Sequence, residues 1–165
     1  MAEGTNPASR VLAIDLGRKR IGLALSDAGG LSAQPLDALQ RRTMVDDIGR
    51  IRSIAQDRKA RRIVVGLPLH MDGRESPMSE ECRRFAARLA EASGLPVDMH
   101  DERLTSVEAE EMLRARGWSL ERLLKEKKKG TVDRLAATVL LEDWMSAQGG
   151  RAERDQAERD QESGA

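Results

Sequence analysis

The chain has 165 residues, 39% hydrophobic and 34% charged, which suits one compact domain with a heavily charged surface. Lys plus Arg equals Asp plus Glu at 28 each, so net charge neither favours nor rules out a nucleic-acid partner, and the placement of charges must decide. Aromatics are 2%, with no Tyr, one Phe and two Trp, which argues against an aromatic base-stacking platform and calls for an aliphatic core.

No stretch approaches the ~18 apolar residues of a membrane span. The opening MAEGTNPASR lacks the hydrophobic core of a secretory signal. One cysteine, Cys82, leaves no internal disulfide. These features lead us to expect a cytoplasmic protein.

In chain order, residues 11–16 and 21–26 are apolar runs around Gly17-Arg18-Lys19-Arg20 and read as a hairpin of strands. Residues 35–39 suit a third short strand. Thr43 can cap a helix with Asp46 in its first turn, and Ile48, Ile51 and Ala55 recur at helical spacing. Residues 61–66 form a β-branched run stopped by Gly66 and Pro68, hence a buried strand. Met78, Cys82, Phe85 and Leu89 mark a helix face that Gly94 and Pro96 end. Residues 97–100 suit another strand. Thr105-Ser106-Val107-Glu108 is a capping box opening a helix that Gly117 closes. Residues 119–124 suit one or two further turns, and 131–145 a final helix. The order β-β-β-α-β-α-β-α predicts an α/β mixed sheet with helices on its faces, the element order of a ribonuclease-H-like fold.

After Gly149-Gly150 an AERDQ pentad occurs twice with no apolar face, which reads as a solvated tail, disordered or a frayed helix. The expected division is a disordered leader over 1–9, a ribonuclease-H-like domain over 10–147 and a charged low-complexity tail over 148–165.

Three acids stand out. Asp15 ends an otherwise buried strand, where a lone carboxylate costs several kcal/mol unless something pairs with it. Asp101-Glu102 ends the strand at 97–100, and alternation sends the two to opposite faces, so only one can join Asp15. Asp133 shares a helix face with Ala136, Ala137, Leu140 and Trp144. Each has a plainer reading: Asp15 as a turn former, Glu102 as a salt partner of Arg103, Asp133 as a helix-dipole charge. Converging at one sheet edge, three carboxylates repel, and Mg²⁺ or Mn²⁺ relieves that repulsion. Two such ions about 3.5–4 Å apart suit phosphodiester hydrolysis, one activating water and the other stabilising the leaving oxygen.

Arg18-Lys19-Arg20 directly follows Asp15, and Lys125 with Lys127-Lys128-Lys129 precedes Asp133. These can neutralise phosphates on either side of a cut or simply be solvated charge. Arg41-Arg42 and Arg61-Arg62 are ambiguous. His70 and His100 lack zinc-site spacing. Cys82 falls on an apolar helix face and reads as core, not nucleophile. Gly17 and Gly22 make no Walker motif.

The segments Ala13-Ile14-Asp15-Leu16-Gly17-Arg18-Lys19-Arg20-Ile21-Gly22-Leu23-Ala24-Leu25-Ser26-Asp27, Val64-Val65-Gly66-Leu67-Pro68-Leu69-His70-Met71-Asp72-Gly73, Asp101-Glu102-Arg103-Leu104-Thr105-Ser106 and Asp133-Arg134-Leu135-Ala136-Ala137 resemble, in order, the motifs of the YqgF (RuvX) family. The resemblance implies a ribonuclease-H-like fold and a nuclease. The family is named for Holliday junction resolution by similarity to another resolvase, and is also described as processing the 5′ end of precursor 16S rRNA in bacteria. It implies Asp15, Glu102 and Asp133 as catalytic, metal-holding acids. His70 departs from the family's usual Asn, Arg74-Glu75-Ser76 varies the following loop, and the AERDQ tail has no counterpart.

Four readings follow. The preferred one is a nuclease on the immature 5′ end of 16S rRNA, acting with Mg²⁺ or Mn²⁺, with the small ribosomal subunit as a candidate partner. Asp15 bridges the metals, and Glu102 and Asp133 hold one each. Arg18, Lys19, Arg20, Lys128 and Lys129 contact phosphate, and Arg103 supports Glu102. The second applies the same chemistry to branched DNA, where symmetric cutting calls for a two-fold dimer; monomer and homodimer both stay open. The third is a non-catalytic ribosome-assembly factor. The fourth, a nucleotide phosphotransferase, needs a second domain that 165 residues do not supply.

Overall fold

The computed structural model describes residues 10–30, 32–102, 111, 114–128 and 131–164. Strand β1 (Arg10–Leu16) turns at Gly17 into β2 (Arg20–Ser26), and β3 (Ala33–Gln40) adds a third antiparallel strand. Helix α1 (Met44–Asp57) leads into β4 (Ala60–Leu67), which pairs parallel to β1. Helix α2 (Pro77–Ser93) leads into β5 (Val97–Asp101), parallel to β4. Helices α3 (Leu120–Lys128) and α4 (Thr131–Ser163) follow. The sheet order is β3-β2-β1-β4-β5, so β1 and β4 lie at its centre.

Side-chain alternation divides the core. Leu12, Ile14 and Leu16 of β1 join Ile63 and Val65 of β4 beneath Ile48, Ile51 and Ala55 of α1 and Cys82, Phe85 and Leu89 of α2. On the other face Val11, Ala13, Ala24 and Val64 pack against Ala137, Leu140, Leu141 and Trp144 of α4. That second face is lined by small residues, so a helix can come close to the backbone.

Caps fix the helix starts. The Thr43 hydroxyl accepts from the Asp46 amide at 3.2 Å. Ser76 and Ser79 form a reciprocal capping box, and Gly94 ends α2 in the left-handed region at φ 69°. The acid that matters most in α1 is Asp47, one residue beyond the one the motif singles out. It is fully buried and accepts the Arg42 amide at 3.0 Å and the Arg50 guanidinium. The sign in the sequence is its spacing: Asp47 stands four residues before Ile51 and eight before Ala55, on the buried stripe, whereas Asp46 does not.

Two helices are longer than expected. Helix α3 runs nine residues to Lys128. Helix α4 continues from the expected end near Met145 to Ser163. The extension lacks an apolar face, so periodicity cannot reveal it; Ala, Glu, Arg and Gln carry it by helix propensity. Gln156 donates to Asp160 at 2.8 Å one turn on. Residues 156–164 are exposed, in keeping with a solvated tail. The helix expected to open at Thr105 lies largely outside the described residues, but Gly117 ends it at φ 91°. Among the described residues no helix is long and apolar enough to cross a membrane.

Candidate active site

Asp15 sits two residues beyond Ala13, so the alternation that sends Val11 and Ala13 toward α4 sends its carboxylate to the same face. Its partner across β2 is Gly22, which leaves space beside it. On β4 the matching position after Val64 is Gly66. A Cβ built there would stand 2.8 Å from Glu102 Cδ and 3.2 Å from Leu140 Cδ2, and closer still to Glu102 Oε2. The Glu102 side chain therefore lies directly over the Gly66 backbone, under α4. Its own amide donates to the Leu67 carbonyl at 3.2 Å, anchoring it to the end of β4. A glycine inside a buried strand commonly marks such a close approach.

Asp15 and Glu102 share a side-chain hydrogen bond, and Glu102 is pushed up to about 9. Burial is the largest cause, followed by the Asp15 charge, the shared hydrogen bond and the Asp101 charge. Two carboxyl groups can hydrogen-bond only if one keeps a proton. The upward shift of Glu102 places that proton on Glu102, which donates to Asp15. Of the Asp101-Glu102 pair, Glu102 is thus the one that joins Asp15.

The Cys82 thiol lies beneath this end of the sheet. Burial, then the Glu102 and Asp15 charges, push it up to about 12, so it stays a neutral core group. His70 lies in an exposed loop closed by its amide to the Arg74 carbonyl at 2.9 Å. His100 bonds Asp143 of α4 through Nε2 at 2.6 Å. Among the described residues no three His, Cys, Asp or Glu gather to hold a metal.

Position 133 lies in the first turn of α4, on the helical stripe that continues through Ala137, Leu140 and Trp144. Its side chain is outside the description. Arg103 and Lys129 lie outside the described residues. Lys128 is the last residue of α3. The basic turn is well defined: the Gly17 amide donates to the Arg20 carbonyl at 2.9 Å, and a Cβ at Gly17 would stand 2.7 Å from that oxygen. Arg18 and Lys19 are exposed and Arg20 half-buried.

Arg41 and Arg62, ambiguous as sequence, are tied into the protein. Arg62 pairs with Asp98 at 2.9 Å and Arg41 with Glu81 at 2.6 Å. The partners stand 36 and 40 positions away, beyond any local pattern.

A five-stranded mixed sheet with Asp15 near the end of central β1, Glu102 just past edge strand β5, and helices on both faces defines a ribonuclease-H-like α/β fold. The same fold occurs in Thermus thermophilus RuvC in complex with a Holliday junction substrate, at TM-score 0.54 and 15% identity, over 86% of this chain and 96% of that one. The chain belongs to the RuvX family, described as "Holliday junction resolvase", whose model matches residues 9–147. A relative from Anaeromyxobacter sp. (strain K), named "Putative pre-16S rRNA nuclease", is 46% identical over 136 residues, 82% of this chain and 96% of the relative. A relative of the same name from Synechococcus elongatus is 42% identical over 142 residues, 86% of this chain and 92% of the relative.

Proposed function

We propose that this protein is a divalent-metal-dependent nuclease that hydrolyses phosphodiester bonds at the 5′ end of precursor 16S rRNA. The observation that carries the reading is the Asp15–Glu102 pair, two carboxyl groups brought within hydrogen-bond reach of each other with the Glu102 side chain packed on Gly66. An all-oxygen pair that holds a proton up to about 9 is a site short of positive charge, and a hard divalent ion suits it. Mg²⁺ or Mn²⁺ would be held by Asp15 and Glu102, with Asp133 as the third acid from the α4 terminus. Bound there, such ions supply Lewis-acid stabilisation of the phosphate and lower the pKa of the attacking water.

The chain's own residues do the rest. Asp15 and Glu102 would hold such an ion as carboxylates, their proton released to solvent. Arg18, Lys19 and Arg20 neutralise and orient the phosphates beside the scissile bond. Arg103 supports Glu102, and Lys128 and Lys129 follow the strand further out. Tight packing of α4 on the small-residue face keeps the carboxylates largely out of water, which strengthens every charge interaction there. The names of the relatives support precursor rRNA as substrate, and with it a cytoplasmic setting and the small ribosomal subunit as partner. The family description favours a second reading, cleavage of branched DNA by a two-fold dimer.

A direct comparison separates them. With Mg²⁺, the protein is expected to cut a precursor 16S 5′-leader RNA and to leave a four-way DNA junction intact. Cleavage of the junction alone, by a species that sediments as a dimer, would transfer the assignment to resolution. Cleavage of neither, with tight binding to the leader, would support a non-catalytic assembly factor.

A further inference from the structure

Arg41 lies just after β3 and grips the basic turn at two points. Its amide donates to the Lys19 carbonyl at 2.9 Å, extending the β2–β3 ladder. Its guanidinium reaches back and donates through Nη1 to the Gly17 carbonyl at 3.0 Å. Nη2 is held by Glu81 of α2 at 2.6 Å, and Nε stands 3.9 Å from the buried Asp47 carboxylate of α1. The side chain is only 15% exposed. With its charge answered by two acids and its donors aimed inward, Arg41 is not presented to a phosphate.

The Gly17 carbonyl belongs to the residue two beyond Asp15 and begins the turn that carries Arg18 and Lys19. Within the turn, the bond from the Gly17 amide to the Arg20 carbonyl fixes the peptide before Gly17, and Arg41 fixes the carbonyl of the peptide after it. A planar guanidinium can hold the Gly17 oxygen and the Glu81 carboxylate together because its donors form a rigid fork. A single ammonium at this position has no such fork.

We propose that Arg41 is a positioning residue: it clamps the Gly17–Arg20 turn, at the exit of β1, in one conformation and so presents Arg18 and Lys19 to substrate phosphate. This rests on the nuclease reading for its consequence, though not for the clamp itself. Pre-ordering the turn spares the cost of fixing it on binding, so its loss is felt in substrate affinity more than in turnover.

The test uses Arg41→Met together with Glu81→Gln, so that Glu81 is not left facing a lost cation while the buried Asp47 keeps Arg50 and the Arg42 amide, with Arg41→Lys as the conservative comparison. Amide exchange reads the clamp. Protection at Gly17 is expected to fall at least about tenfold while Leu12 and Ile14 in β1 keep theirs. Cleavage of leader RNA reads the consequence. KM is expected to rise about tenfold with kcat changed no more than about threefold, and Arg41→Lys is expected to fall between. Equal loss of protection at Gly17, Leu12 and Ile14 would mean a general stabilising role and overturn the proposal. So would unchanged exchange at Gly17, or a fall in kcat at constant KM. A parent protein that neither binds nor cuts leader RNA would defeat the nuclease reading, while exchange at Gly17 would still decide the clamp.

Discussion

Gly66→Ala is expected to cut the maximal cleavage rate about a hundredfold or more while the protein stays folded. The added methyl would fall 2.8 Å from Glu102 Cδ and 3.2 Å from Leu140 Cδ2. Backbone cannot yield inside the central strand pair, so the Glu102 carboxyl, at the end of a movable side chain, must swing away from Asp15. An overpacked contact of this kind costs about 1–3 kcal/mol, which an otherwise intact core tolerates. Single-turnover cleavage beside a thermal melt checks it. A rate near that of the parent would mean that Glu102 need not lie over Gly66 for catalysis. The expectation is specific to this site, since no substrate group is removed and no charge is altered.

Glu102→Gln is expected to do the reverse to stability and the same to activity. In chelator the parent holds the Glu102 proton up to about 9, against an ordinary value of 4.5. The folded state then binds more protons than the unfolded one between those values. Its stability contribution is complete below the ordinary value and is lost as pH rises toward the shifted one. The metal-free parent should therefore weaken from pH 5 to pH 9. The Gln variant keeps a donor toward Asp15 and has no proton to lose, so its stability should vary less and exceed the parent's at pH 8. Mg²⁺ should raise the parent's Tm, more at pH 8 than at pH 6, and raise the variant's much less. Cleavage should fall by more than the ten- to hundredfold typical of groups that merely orient a metal ligand. Melts at several pH values, with and without Mg²⁺, read all of this. A variant as pH-sensitive as the parent would assign the titration to another group.

Such a trade of stability for function explains why Asp15 was readable in the sequence. An apolar run that ends in a carboxylate contradicts its own burial pattern, and that contradiction marks Asp15. Glu102 carries no such mark: it follows Val97-Asp98-Met99-His100, which is no apolar run, and the family motif rather than the strand pattern separates it from Asp101. Strands β1, β2 and β4 were legible as continuous apolar runs, because each has one face under α1 and α2 and the other under α4. Gly66 was half legible. Its place after Val64-Val65 looked like the end of a strand, yet β4 continues through it to Leu67. What the glycine accommodates is a side chain that arrives 36 residues later. Arg41 was not legible at all: an arginine pair beyond a strand looks like any surface charge until α2 brings Glu81 alongside. The α4 extension was hidden for the opposite reason, since a helix without an apolar stripe has no period to detect.

The central claim is that Asp15 anchors a metal-dependent hydrolytic site, and the most direct measurement is cleavage of a precursor 16S 5′-leader RNA by the parent and Asp15→Asn. Both are assayed after chelation and after Mg²⁺ or Mn²⁺ is restored. The account predicts cutting by the parent only with the metal, and a loss of about a thousandfold or more in the variant, which binds the RNA and melts normally. Metal-independent cutting, or full activity in Asp15→Asn, would contradict it.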